Sequence, residues 1–234
     1  LESGQFKNFI TSACPAVCRL IQAYYPKALQ YLAPVDSPMI AHAKMIKQQH
    51  PDAKIIFIGP CIAKKREASE SGLIDGVLTF DDMQELLNEK NIVLDEIINI
   101  SLENKRNTAC LSKAYPISHG VIKSFPELPE GYDYMAVDGP DRCVDALQNI
   151  ESLENVFLEM NICKDGCVNG PCSLSVNIKG GSIKATADVI KYYKNDISTL
   201  APHKYEEHTI DINKLYPRIR NNSMPAPERE IKCI

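Results

Sequence analysis

The chain has 234 residues, 44% hydrophobic and 24% charged, with a formal net charge of -4 at pH 7. It is long enough to bury a core as one large domain or two small lobes. The weak negative charge gives no basic footprint for a nucleic acid, and no apolar run approaches the ~20 residues of a membrane-spanning helix.

Taken in order, residues 7–12 read as a strand. Pro15 then stands where a first helical turn begins, so Cys14 falls at a strand–helix junction. An amphipathic pattern runs from Val17 to Leu29, with Tyr24-Tyr-Pro26 as its stop. Ser37-Pro38 is a good N-cap followed by Pro in the first turn, and predicts a helix to about His50, before Pro51. Lys54 to Ile58 reads as a continuous apolar strand leading into Gly59-Pro60-Cys61. A short strand over Gly76–Thr79 precedes a helix over Asp81–Asn88.

Residues 91–130 carry no clear period, and Ser101 to Ala109 reads as a polar loop. Tyr134–Val137 is again strand-like, followed by Asp138-Gly-Pro-Asp141 and a helix from about Arg142 to Ile150. Asn155–Met160 reads as a buried strand, and Ser182–Lys194 as a helix. From Ala201 the chain carries Pro217, Pro225 and Pro227, the composition of an extended tail. Strands alternating with helices predict an α/β fold with parallel sheet, whose ligands sit outside the carboxyl ends of the strands.

Nine cysteines are many for such a chain. A disulfide framework fits poorly, because a chain of this size holds together without one and no export signal is present. Scattered singles such as Cys110 and Cys233 read as small packing residues. The others gather at strand ends. Cys14 follows the first strand, Cys61 the second, and Cys163-Lys-Asp-Gly-Cys-Val-Asn-Gly-Pro-Cys172 follows the strand at 155–160. Thiolates are soft donors that select iron–sulfur clusters, Zn or Cu(I). The pairs Cys14/Cys18 and Cys163/Cys167 have three residues between them, looser than the Cys-x2-Cys of zinc sites. That spacing suits a cluster whose cysteines reach separate irons. Cys18 competes as a ligand, since in a helix it lies one turn after Cys14.

Three stretches carry a family resemblance: Thr11-Ser-Ala-Cys-Pro15, Gly59-Pro-Cys-Ile-Ala-Lys-Lys65 and Phe157-Leu-Glu-Met-Asn-Ile-Cys-Lys-Asp-Gly-Cys-Val-Asn-Gly170. In this order, over roughly residues 5–175, they resemble the signature motifs of the [FeFe]-hydrogenase large-subunit catalytic domain. The resemblance implies a two-lobed α/β fold with parallel sheets, its second lobe incomplete in this chain. It implies a first α/β lobe over 1–128 with Cys14 and Cys61, a partial second lobe over 129–200 with the Cys163/Cys167 loop, and an extended tail over 201–234. It further implies a [4Fe–4S] cluster on Cys14, Cys61, Cys163 and Cys167, with a diiron subsite bridged through Cys167. Lys64 matches the lysine that pairs with a cyanide ligand of that subsite, and Glu159 matches a family glutamate.

The departures are as informative. Catalytic members carry a second cysteine where this chain has Ala13, and a serine of the same proton relay aligns with Ala33. The third motif ends Asn169-Gly-Pro-Cys172 in place of a glycine run, and the segment between the second and third motifs is short. These features resemble the divergent, sensory members of the family, which are joined to ferredoxin-like, PAS or signalling modules. The expectation is a redox- or H2-sensing domain of low turnover in the cytoplasm of an anaerobe. The alternatives are an active hydrogenase with another proton route, and a structural cluster or metal scaffold without a diiron subsite. The chain lacks an initiator Met and reads as a piece of a longer protein, with an open sheet edge that would favour a homodimer. His42, His119 and Cys143 read as packing or surface residues, while Cys172 is either a core cap or an alternate thiol near the cluster.

Overall fold

The computed structural model describes residues 7–93, 111–173 and 181–198. The polar stretch 101–109, Cys110, the tail from Ala201 and Cys233 lie outside the described residues.

Two parallel sheets organise the chain. The first joins Phe9–Ile10 (β1), Asp133–Asp138 (β4) and Val156–Asn161 (β5), with β5 in the middle. A central parallel strand is covered on both faces and reads as a near-continuous apolar run. Val156-Phe-Leu-Glu-Met-Asn161 is such a run, and all six of its residues are buried. Its Phe157 ring meets Phe9 at 5.3 Å, Tyr134 at 5.2 Å and Phe125 edge-on at 5.8 Å. Asn8 locks the sheet's entry: its Nδ2 donates to the Ile150 and Leu153 carbonyls, and its Oδ1 accepts from the Val156 amide.

The strand expected over residues 7–12 is shorter, because only Phe9 and Ile10 pair in full, although Thr11 N–H still donates to the Leu158 carbonyl at 3.0 Å. After it, Pro15–Tyr24 (α1) packs Val17 and Ile21 onto Ile10, Leu158 and Met160. The amphipathic pattern to Leu29 is interrupted at Pro26, which opens a 3-10 turn over Pro26–Tyr31. Leu32 then bridges Ile10 in parallel on the far side of β1.

The second sheet is Ile56–Ile58 (β2) beside Gly76–Leu78 (β3), also parallel. Ser37 caps Pro38–Gln49 (α2), its Oγ accepting from the Ile40 amide. Thr79 and Asp82 form a capping box on Phe80–Glu89 (α4). The connection from β2 to β3 is a helix, Ala63–Ser71 (α3), at which the sequence showed no apolar period. Helices α2 and α3 cover the face carrying Phe57 and Val77. The opposite face leaves Ile56 53% and Ile58 45% exposed, so β2 is not the fully buried strand its apolar run suggests.

Pro140–Asn149 (α5) follows β4 and Gly181–Ser198 (α6) follows the cysteine loop. The sheets do not divide at residue 128. β1 precedes that point yet pairs with β5 beyond it, because Asn8 and Phe9 find their partners at 150–157. No helix among the described residues is long and apolar enough to cross a membrane.

Candidate metal centre

Four cysteines reach one neighbourhood from three strand ends. Cys14 is the N-cap of α1, directly after β1. Cys61 follows β2 and precedes α3. Cys163 and Cys167 lie in the loop that leaves β5.

Local geometry explains how the last loop closes. Asp165 (φ 61°) and Gly166 (φ 97°) take left-handed conformations, and Gly166 N–H returns to the Cys163 carbonyl at 3.2 Å. Cys167–Asn169 then make a 3-10 turn, anchored where Val168 N–H donates to the Pro116 carbonyl at 2.8 Å. A Cβ on Gly166 would lie 2.6 Å from that same carbonyl oxygen. A Cβ on Gly170 would lie 3.0 Å from the Pro60 carbonyl oxygen and 3.7 Å from Cys163 Sγ. Glycine is therefore what lets the third loop close against the Gly59-Pro60-Cys61 turn.

The four thiols feel one another. Burial pushes the Cys14 thiol up, Cys61 adds to the rise, and the backbone amides of Ile162, Val17 and Ala16 oppose it. Burial also pushes Cys163 up to about 11, with Cys14, Cys61 and Asp138 contributing. Cys167 is pushed up to about 12 by burial, then by Cys14, Cys61 and Cys163, while Lys64 favours its thiolate. Cys14, Cys163 and Cys167 thus resist ionising, and a bound cation that takes thiolates offsets that cost. All seven described cysteines are free. Among the described residues no three His, Cys, Asp or Glu side chains converge on a single metal-ion position. A polynuclear cluster does not require that, since each cysteine reaches its own iron. The donor set and the glycine cradle fit such a cluster.

The other residues sort by their contacts. Cys18 is buried and its Sγ donates to the Ser12 carbonyl at 3.6 Å, a packing contact within the start of α1. Cys143 donates to the Asn161 and Val137 carbonyls at 3.4 and 3.7 Å, tying α5 to the ends of β5 and β4. Cys172 is partly exposed in a turn where Ser173 N–H donates to the Gly170 carbonyl. His42 is exposed, and His119, in a left-handed conformation, has Ser118 Oγ within 3.3 Å of its Nδ1.

Glu159 is 1% exposed. Its Oε2 accepts from the Ile122 amide at 2.9 Å, and its Oε1 lies 3.5 Å from Asn161 Nδ2. Burial raises its pKa, opposed by the amides of Ile122, Val121 and Gly120, with Asp138 adding to the rise. Its visible task is to hold the segment around residues 120–122 against the sheet, beside the cysteine loop.

Lys64 is not a solvated charge. Its Nζ pairs with Glu67 Oε2 at 3.0 Å, with the side chains 14% and 5% exposed. Glu67 was missed in the sequence because α3 was missed. Once a helix is placed there, three-residue spacing puts Lys64 and Glu67 on one face. Ala13 is partly buried beside Cys14, and Ala33 is 1% exposed with its N–H on the Ile10 carbonyl.

Fold and site together define a parallel α/β protein with a thiol-lined centre between two sheets. Residues 1–130 match the family described as iron only hydrogenase large subunit, C-terminal domain, and the chain belongs to that family. Solved structures share the fold. One is a glutamate-to-alanine variant of the [FeFe]-hydrogenase of Chlamydomonas reinhardtii, at 16% identity and TM-score 0.60, covering 83% of this chain and 68% of that one. A glutamate-to-glutamine variant from the same organism matches at 16% identity and TM-score 0.57, covering 78% of this chain and 66% of that one. A third is an [FeFe]-hydrogenase whose oxygen inactivation begins at the 2Fe subcluster of its H-cluster, at 16% identity and TM-score 0.57, with 90% and 70% covered. The chain thus spans about two thirds of the length of these hydrogenases.

Proposed function

We propose that this chain holds a [4Fe–4S] cluster through Cys14, Cys61, Cys163 and Cys167, and serves redox or H2 sensing with low turnover. The observation that carries the reading is the delivery of four cysteines by three strand-end loops of two sheets, with Gly170 of the third loop packed against the Pro60 carbonyl of the second. When bound, such a cluster would supply one-electron chemistry, and a diiron subsite bridged through Cys167 would supply the site at which H2 binds.

The chain's own residues do the rest. The amides of Ile162, Val17 and Ala16 face Cys14 and favour its thiolate, a means of tuning a cluster's potential. The positive charge of Lys64 favours the thiolate of Cys167. At position 13 a methyl group stands where a proton carrier would be needed, and Ala33, packed under β1, offers no hydroxyl farther out. Losing a positioned acid typically costs on the order of 10²–10⁴-fold in rate. That is tolerable for a sensor, which needs only to bind and change oxidation state.

Anaerobic reconstitution tests the first half: about four irons and four sulfides per chain are expected for one such cluster, with the electron paramagnetic signal of its reduced form. A stoichiometry of one metal ion per chain would support a structural metal scaffold instead. Infrared spectroscopy after maturation tests the subsite, since only a diiron site gives CO and cyanide stretches.

A further inference from the structure

The segment 114–124 stands between a buried carboxyl and the cysteine loop, and it touches both. It is a run of successive turns. Ile117 N–H donates to the Ala114 carbonyl at 3.1 Å, Gly120 N–H to Ile117 at 3.0 Å, and Ser124 N–H to Val121 at 3.0 Å. His119, in a left-handed conformation, reverses its direction, and a Cβ on Gly120 would overlap the Ala114 carbonyl. Ala114, Ile117 and Ile122 are buried. A segment wound and packed this closely transmits a displacement from one end to the other. Near one end, Ile122 N–H donates to Glu159 Oε2 at 2.9 Å. Near the other, the Pro116 carbonyl accepts from Val168 N–H at 2.8 Å, one residue past Cys167. The same carbonyl oxygen presses on Gly166, one residue before Cys167, where an added Cβ would come within 2.6 Å of it. Pro116 thus contacts the chain on both sides of Cys167. The second Glu159 oxygen is also engaged: Asn161 Nδ2 lies 3.5 Å from Oε1 and donates to Asp138 Oδ1 at 3.0 Å. A carboxyl 1% exposed on a central strand is costly to bury without such partners.

We propose that Glu159 is a positioning residue for Cys167: it fixes the segment 114–124 as a strut, and the Pro116 carbonyl of that strut fixes the loop on either side of Cys167. The strut needs no bound group, while its effect on one rests on the cluster reading above. The alternative is a loop that holds itself. Its own turns, Ser173 Oγ on the Val168 carbonyl at 2.6 Å and Asn169 Nδ2 on Thr186 Oγ1 at 3.4 Å would then suffice, and Glu159 would steady only the strand and residues 120–122.

The test is residue-resolved amide hydrogen exchange on the apo full chain, as wild type and Glu159→Gln. Glutamine keeps the shape but sets an NH2 group against either Ile122 N–H or Asn161 Nδ2, where a donor faces a donor. The expected result is exchange roughly tenfold faster or more at both Ile122 and Val168. Thr11 and Gly139, whose N–H groups donate to the Leu158 and Asn161 carbonyls of β5, should stay near wild type. Faster exchange at Ile122 alone overturns the strut, and so does no change at either. Equal acceleration at Thr11, Gly139 and Val168 also overturns it, because Glu159 would then only stabilise the sheet. In a Gly166→Ala background, where the loop is already pushed off Pro116, Glu159→Gln should add nothing at Val168; an added effect overturns the route through Pro116. Should Glu159→Gln not fold, wild type decides in mild denaturant. Ile122 and Val168 should exchange through one opening with one denaturant dependence, and separate openings overturn the strut.

A second measurement reads the consequence for a bound group. After anaerobic reconstitution, Glu159→Gln should lose iron to a chelator about tenfold faster than wild type, in step with the faster opening at Val168. Equal loss overturns the role at Cys167. Failure of wild type to take up iron and sulfide sinks the cluster reading alone, and the exchange measurement then decides the strut by itself.

Discussion

Cys14 and Cys18 lie one helical turn apart and are both buried, yet they have different neighbours. Cys14 couples to Cys61, Cys163 and Cys167, whereas Cys18 donates to the Ser12 carbonyl. Serine at Cys14, Cys61, Cys163 or Cys167 should each cut the iron bound on reconstitution severalfold, while Cys18→Ser, whose hydroxyl can keep the Ser12 contact, should leave it near wild type. Retention of full iron by Cys61→Ser together with its loss from Cys18→Ser would reverse the assignment. Glu159 makes a pH prediction. Burial holds its folded pKa above the ordinary glutamate value of 4.5, so the folded state binds that proton more tightly than the unfolded one. The resulting stability is present below pH 4.5 and is lost as pH rises through the folded value. In apo protein, the melting temperature of wild type should therefore fall relative to Glu159→Gln across that window. A constant gap would mean that the carboxyl titrates as it does in the unfolded chain.

At the scale of elements, what a segment advertises locally is what it forms. Ser37 and Pro38 start α2 where cap chemistry places it, and Ser37→Ala should cost about 1 kcal/mol in denaturant unfolding. The third helix shows the opposite case. Ala-Lys-Lys-Arg-Glu-Ala-Ser-Glu-Ser has strong helix formers but no apolar stripe, and it buries chiefly Glu67 and Ala68. The pattern that reveals most helices was missing, and with it the Lys64–Glu67 pair. The cysteine loop depends on one backbone conformation. Gly166→Ala would strain a φ of 97° and drive a methyl into the Pro116 carbonyl. It should destabilise the chain by more than about 1 kcal/mol and reduce iron uptake by displacing Cys167. Normal uptake with an unchanged melting temperature would show that the loop tolerates another path.

Over the whole molecule, the site exists because chain order and spatial order differ. The first strand leaves for the second sheet and the chain returns to it 148 residues later, where Phe9 and Ile10 pair with Phe157 and Leu158. Cys14 and Cys163 thus leave adjacent strands of one sheet while Cys61 arrives from the other. On the proposed reading a proton route is a property of this scale too, since it would run from the centre past position 13 and outward past β1 to solvent. If the protein matures with a diiron subsite, it should evolve H2 at least about 10²-fold more slowly than catalytic relatives. Ala13→Cys should raise the rate, by less than that factor while Ala33 still lacks a hydroxyl. Wild-type rates equal to those of catalytic hydrogenases would show that Ala13 does not limit turnover.

The sequence by itself determined the strands, the caps and the three cysteine loops, because these depend on residues close in the chain: an apolar run, Ser before Pro, Gly and Asp where the backbone turns left-handed. It also determined the family, through short motifs in order. Only the tertiary structure decided that β1 belongs with β5, that one face of β2 is open, that Cys18 packs, and that Lys64 turns inward onto Glu67. Each of those outcomes depends on what a side chain meets across the fold, through burial and paired charge, and residue spacing carries no record of that.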